Sequence, residues 1–147
     1  MTIPREVTIV LIEDDPGHAL LIEKNLRRSK ISNDIRILGD GEQAAAFLFG
    51  DGAEASRERG AALLVLLDLK LPKVDGYEVL ERMKADERTR RIPVVVLTTT
   101  DDAREVRRCY DLGCSVYITK PVDYDRFAEA VRNLGLFFSV VTIPEGV

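Results

Sequence analysis

Short apolar runs alternate along this chain with longer stretches in which apolar residues recur at helical spacing. Val7 to Ile12 is rich in β-branched residues, the pattern of a strand buried on both faces. It stops at Glu13-Asp14-Asp15, and Pro16 suits the first turn of a helix in which Ala19, Ile22 and Leu26 share one face. Asp34 to Leu38 reads as a second strand, and Asp40 as the N-cap of a helix running through Phe49. A charged connection over 50–60 follows, expected to be exposed. Leu63 to Leu67 is again a buried strand, closed by Asp68. After the turn signals Leu71-Pro72 and Asp75-Gly76, Val79, Leu80 and Met83 mark a third helix. Pro93 opens the strand Val94 to Leu97, which ends in Thr98-Thr99-Thr100. Ala103, Val106 and Tyr110 then give a helix with Gly113 as its C-cap, followed by the strand Ser115 to Thr119. Phe127, Ala130, Val131 and Leu134 supply the last helical stripe. Strands alternating with helices predict βαβ units, hence an α/β fold with a doubly wound, five-stranded parallel sheet and five helices. Residues 1–135 read as one domain and 136–147 as an apolar tail.

Composition narrows the function classes. The 147 residues carry 21 Lys and Arg against 25 Asp and Glu, a formal charge of −4. Binding to a phosphate backbone would work against that charge, so a nucleic-acid role is not expected. The longest apolar stretches, such as Ala61 to Leu67, fall far short of the roughly 20 residues of a spanning helix. The start of the chain lacks the basic-then-hydrophobic order of a signal peptide, so no membrane association and a cytoplasmic location are expected. Cys109 and Cys114 have no second Cys/His pair for a zinc site and read as reduced core thiols.

In a doubly wound sheet, ligands bind beyond the carboxyl ends of the strands. There stand Glu13, Asp14 and Asp15 after the first run, Asp68 after the third, Thr98 after the fourth and Lys120 after the fifth. Any one of them could simply close a buried strand. As a set they need another explanation, because carboxylates about 4 Å apart repel by about 4 kcal/mol at an effective dielectric of about 20. Such a cluster calls for a cation, and carboxylate-rich oxygen ligation suits Mg²⁺ bridging to a phosphate. Lys120 would meet that phosphate as a point charge, and Thr98 could donate a hydrogen bond to it.

These elements resemble the receiver domain of two-component response regulators over roughly residues 5–134. The resemblance is carried by Leu11-Ile12-Glu13-Asp14-Asp15, Leu67-Asp68-Leu69-Lys70-Leu71-Pro72, Asp75-Gly76, Thr98 and Thr119-Lys120-Pro121. It implies the flavodoxin-like receiver fold. It also implies that Asp68 accepts a phosphoryl group from the phosphohistidine of a histidine kinase, the domain catalysing its own phosphorylation and dephosphorylation without being a classical enzyme. Glu13, Asp14 and Asp68, with the main-chain carbonyl of Lys70, correspond to metal ligands for Mg²⁺. Asp15 matches the next, variable position and reads as a nearby charge or helix cap. Thr98 and Tyr117 correspond to a switch pair in which the hydroxyl turns toward phosphate and the ring moves inward. Lys120-Pro121 corresponds to a cis peptide, against a trans proline opening the final helix. Lys70 and Thr100 flank the site where the family tunes dephosphorylation, and whether Lys70 lies over the phosphate or extends outward stays open. His18 reads as a solvated side chain rather than a phosphate carrier.

Three other functions compete. A haloacid dehalogenase-type enzyme would want Asp-x-Asp where Asp68-Leu69-Lys70 stands. A flavodoxin-like electron carrier would want a hydroxyl-rich phosphate loop where Glu13-Asp14-Asp15 would repel the flavin phosphate. An interaction module that cannot be phosphorylated would not need the full set of acids, hydroxyl and lysine. Residues 135–147 are too few for an output domain, so output is expected through protein contact. The extended connection after the second helix, Ile92 to Thr99 and Phe137-Phe138 resemble the small regulators paired with phytochrome kinases. Leu136, Phe137, Phe138, Val140, Val141 and Ile143 need a second surface to cover them. A homodimer through the last helix, the fifth strand and the tail is therefore expected, ahead of a tail folded back on its own domain.

Overall fold

Each of the five runs read as a strand becomes one in the computed structural model, which describes residues 7–50, 62–99, 102–120 and 123–140, without the side chains of Ala62, Tyr124 and residues 134–140. The order is β1 (Val7–Ile12), α1 (Pro16–Arg28), β2 (Ile35–Leu38), α2 (Gly41–Phe49), β3 (Ala62–Asp68), α3 (Gly76–Ala85), β4 (Val94–Thr98), α4 (Ala103–Leu112), β5 (Val116–Thr119) and α5 (Tyr124–Val140). The strands form one parallel sheet in the order β2-β1-β3-β4-β5.

The near-continuous apolar character of the central strands follows from having a helix layer on each face. Val10, Ile12, Val65, Leu67, Val94 and Val96 face α2, α3 and α4, where Leu48, Leu80, Met83 and Cys109 meet them. Val7, Ile9, Leu11, Leu64, Leu66, Val95 and Leu97 face α1 and α5, packing against Ile22, Leu26, Phe127 and Val131. Alternate residues of one strand thus enter opposite cores, which leaves no solvent face for polar residues. Cys109 and Cys114 are buried and free, and burial pushes their thiols up to about 11 and about 12. They are inert core residues, as expected.

Helix starts follow local chemistry. Asp15 caps α1 by accepting from the Gly17 and His18 N–H groups at 2.8 and 3.2 Å, Asp40 caps α2 through Gln43, and Asp75 caps α3 through Tyr77. α4 ends at Gly113 in the left-handed conformation, φ 102. α5 departs from the expected boundary: it continues to Val140, through Gly135 and into the segment expected to be a tail. Among the described residues, no helix is long and apolar enough to cross a membrane. The connection 51–61, Thr100, Pro121 with its expected cis bond, and residues 141–147 lie outside the described residues.

Candidate functional site

The strand order places β1 and β3 side by side at the centre, with β2 on one flank and β4 and β5 on the other. The chain therefore leaves the sheet in opposite directions after β1 and β3, opening a crevice at their carboxyl ends. Glu13, buried to 2 % exposure, follows β1, and Asp68 is the last residue of β3 at 6 %. Exposed Asp14 completes a cluster in which one carboxylate oxygen from each of Glu13, Asp14 and Asp68 lies within 4.8 Å of the others. Asp15 turns away to cap α1, and the N–H groups it accepts hold its carboxyl below the usual range.

A single ammonium answers the buried acids. Lys120 follows β5, and its N–H donates to the Thr98 carbonyl at 2.7 Å, which ties the end of β5 to the end of β4. Its Nζ donates to Glu13 Oε1 at 2.6 Å and to Asp68 Oδ2 at 3.3 Å. Burial works against its charge, but these two carboxylates outweigh it and hold the ammonium above the usual lysine range. Asp68 accepts a further hydrogen bond at Oδ1 from the Lys70 N–H at 3.0 Å. Glu13 is pushed up to about 7, first by burial and then by the nearby Asp68 carboxyl, although Lys120 pulls the other way. The pocket therefore holds more negative charge than one lysine neutralises.

Thr98 ends β4 almost fully buried, and its Oγ1 is without a hydrogen-bond partner. A buried hydroxyl in that state is costly unless something arrives to accept its proton. Tyr117 lies on β5, half-buried against the α2–α4 core. The donor set fits a hard divalent cation: oxygen ligands from three carboxylates, an excess of negative charge and an open side at Asp14.

The structure brings together Glu13, Asp14, Asp68 and Lys120, with Thr98 at the neighbouring strand end. Two features were not legible beforehand. The exposed Lys70 extends to the end of β4, where Nζ donates to Thr99 Oγ1 at 3.0 Å. His18 is exposed, as expected, and its Nδ1 lies 3.8 Å from Glu13 Oε1 and 3.9 Å from Asp15 Oδ2, a proximity to the acids that was not expected. Its position five residues after Glu13, in the first turn of a helix starting beside the site, is a signal that could have shown this.

Comparison with known proteins agrees with this geometry. Residues 9–132 match the response regulator receiver domain family. Response regulator Rcp1 of Synechocystis sp. is 38% identical over 137 residues, covering 92% of each chain. Its Mn(2+)-bound solved form superposes with a TM-score of 0.72, at 36% identity over 93% of this chain and 98% of that one. A response regulator receiver domain from Rhodospirillum rubrum is 57% identical with a TM-score of 0.77, covering 95% of this chain and 98% of that one. The bacteriophytochrome response regulator AtBRR is 37% identical with a TM-score of 0.74, covering 92% and 97%. With its parallel sheet, its acids at the ends of β1 and β3 and its lysine beyond β5, this chain belongs to the response regulator receiver domain family, among relatives that include phytochrome response regulators.

Proposed function

We propose that the protein is a Mg²⁺-dependent phosphoacceptor in which Asp68 receives a phosphoryl group from the phosphohistidine of a kinase, and that it signals through phosphorylation-dependent protein contact. One observation carries the reading: a carboxylate, two further acids, a buried ammonium and an unpartnered hydroxyl are gathered at adjacent strand ends. An Asp68 carboxylate oxygen attacks phosphorus, the new P–O bond forms as the P–N bond to imidazole breaks, and the imidazole leaves with its own electron pair. Phosphoryl transfer needs positioning and charge neutralisation more than covalent assistance, and this pocket is built for both. Glu13, Asp14, Asp68 and the Lys70 carbonyl would hold Mg²⁺, which when bound neutralises charge on the phosphoryl oxygens. Lys120 gives up its bond to Asp68 and meets a phosphoryl oxygen instead. The Thr98 hydroxyl donates to another, and Tyr117 follows it inward, which carries the change to the β5 edge of the sheet.

The partner kinase is proposed to be of the phytochrome type, by analogy with the bacteriophytochrome response regulators AtBRR and RtBRR. A homodimer is proposed through α5, β5 and the segment beyond, supported by the apolar run Leu136 to Ile143. Truncation after Leu134 should give a monomer in light scattering. Incubation with Mg²⁺ and a small-molecule phosphodonor, followed by intact mass, tests the central reading. The protein should gain one phosphoryl group and Asp68→Asn none; normal labelling of that variant would overturn the assignment.

A further inference from the structure

The β3–α3 connection contains a backbone conformation that its own sequence does not favour. Lys73 has φ 70, in the left-handed region where a side chain crowds the backbone. The Val74 N–H donates to the Pro72 carbonyl at 2.9 Å, closing a three-residue γ-turn with Lys73 at its centre. With positive φ this is the rare, strained form of the turn, and such strain persists only where the surroundings over-determine it.

The surroundings are the start of α2. The Gly41 N–H donates to the same Pro72 carbonyl at 3.3 Å, and a Cβ on Gly41 would collide with the Val74 carbonyl oxygen. Helix start and turn are thus in backbone contact, a packing only glycine allows. The Lys73 ammonium then lies 3.6 Å from Asp40 Oδ2 and 3.7 Å from Glu42 Oε2, between two carboxylates of the same helix terminus. At the other end of the connection, the Gly76 N–H donates to the Leu69 carbonyl at 3.1 Å. The backbone that follows Asp68 is therefore held at both ends, and Lys70 lies within it.

We propose that Lys73 is a positioning residue: paired with Asp40 and Glu42, it holds the strained turn of residues 72–74 in the form that keeps the Lys70 carbonyl available to a divalent cation. This rests on the metal site proposed above. It assigns a role in cation affinity to the start of α2, which places no group of its own among the clustered acids. Lys73 and Glu42 are exposed, at 58% and 71% of their side chains, whereas Asp40 is only 13% exposed, so the contact is screened on one side and its effect is modest.

The test uses the full chain and Mn²⁺ alone, with bound metal read from the loss of the free-ion EPR signal. Lys73→Ala should weaken Mn²⁺ about fivefold. Asp40→Asn with Glu42→Gln should do the same, since Asn keeps the helix cap while both charges go. Combining all three substitutions should cost no more than either set alone, and Lys73→Arg should retain the wild-type affinity. Additive losses, or full affinity in both the Lys73→Ala and the α2 variants, would overturn the proposal. Should Lys73→Ala fail to fold, the Asp40→Asn with Glu42→Gln variant carries the test by itself. Glu13→Gln with Asp14→Asn separates the two readings. If that variant alone loses Mn²⁺, the metal site stands and the positioning role falls; if it binds like wild type, the metal site itself falls.

Discussion

Replacing Lys120 by Met removes a charge while keeping most of the side-chain volume, and so measures what the buried acids need. The ammonium is 2.6 Å from Glu13 and 3.3 Å from Asp68, and the three side chains are 12%, 1% and 9% exposed. At an effective dielectric of about 20, these separations correspond to gross attractions of about 6 and about 5 kcal/mol. Most of that offsets the cost of taking the charges out of water. What remains measurable is the penalty for stranding one side of a buried pair, about 3–5 kcal/mol. Urea unfolding followed by far-UV circular dichroism, with chelator at pH 8, should show a loss of that size in Lys120→Met. Mg²⁺ should then stabilise the variant more than the wild type, because the cation no longer shares Glu13 and Asp68 with an ammonium. A concentration of a hundred times its dissociation constant contributes about 2.7 kcal/mol. Wild-type stability of the variant in chelator, or equal Mg²⁺ increments in the two proteins, would refute this account of the pocket.

Thr98→Val exchanges an unpartnered buried hydroxyl for a methyl group, so the unphosphorylated protein should be as stable as wild type or up to about 1 kcal/mol more stable, while hydrogen exchange around Tyr117 should no longer respond to phosphorylation. Glu13 has a native pKa near 7, above its ordinary 4.5, so the native state binds its proton more tightly than the unfolded chain does. Its contribution is fully present below about pH 4.5 and is lost as pH rises through about 7. Urea midpoints in chelator should therefore fall across that window in wild type and lose this component in Glu13→Gln. Replacing both Glu13 and Asp14 by Ala should abolish Mg²⁺ binding in calorimetry and Mg²⁺-dependent phosphorylation, with folding retained.

The strands and helices were legible because their periods differ, and because two-faced burial makes β1, β3 and β4 almost wholly apolar. Caps were legible in part: Asp40 reads as the N-cap of α2 and Asp15 as a nearby charge or helix cap, whereas Asp75, which caps α3, reads from the sequence only as part of a turn. The acids were legible as a set, since a parallel sheet delivers every strand end to the same edge. Pairing within that set was not. No local pattern says that Lys120 meets Glu13 more closely than Asp68, or that Lys70 reaches Thr99 across to the next strand end. The γ-turn at Lys73 was hidden too, because Pro72 and Asp75-Gly76 announce a turn without saying which residue takes positive φ. The continuation of α5 to Val140 was obscured by Gly135, a residue that more often marks a helix end.

The bond from Lys120 to Glu13 joins residues 107 positions apart in the chain. Contacts of such long range bear the largest loop-closure entropy, and topologies dominated by them fold slowly. Glu13 and Asp68 lie on adjacent strands and can come together once β1 pairs with β3, yet their counter-charge arrives only when β5 docks on β4. A chain still being synthesised, or one whose last strand has come loose, therefore carries its acids without their lysine. The proposed phosphoacceptor pocket is thus complete only when the whole sheet is, since no partly assembled sheet brings Lys120 to both Glu13 and Asp68.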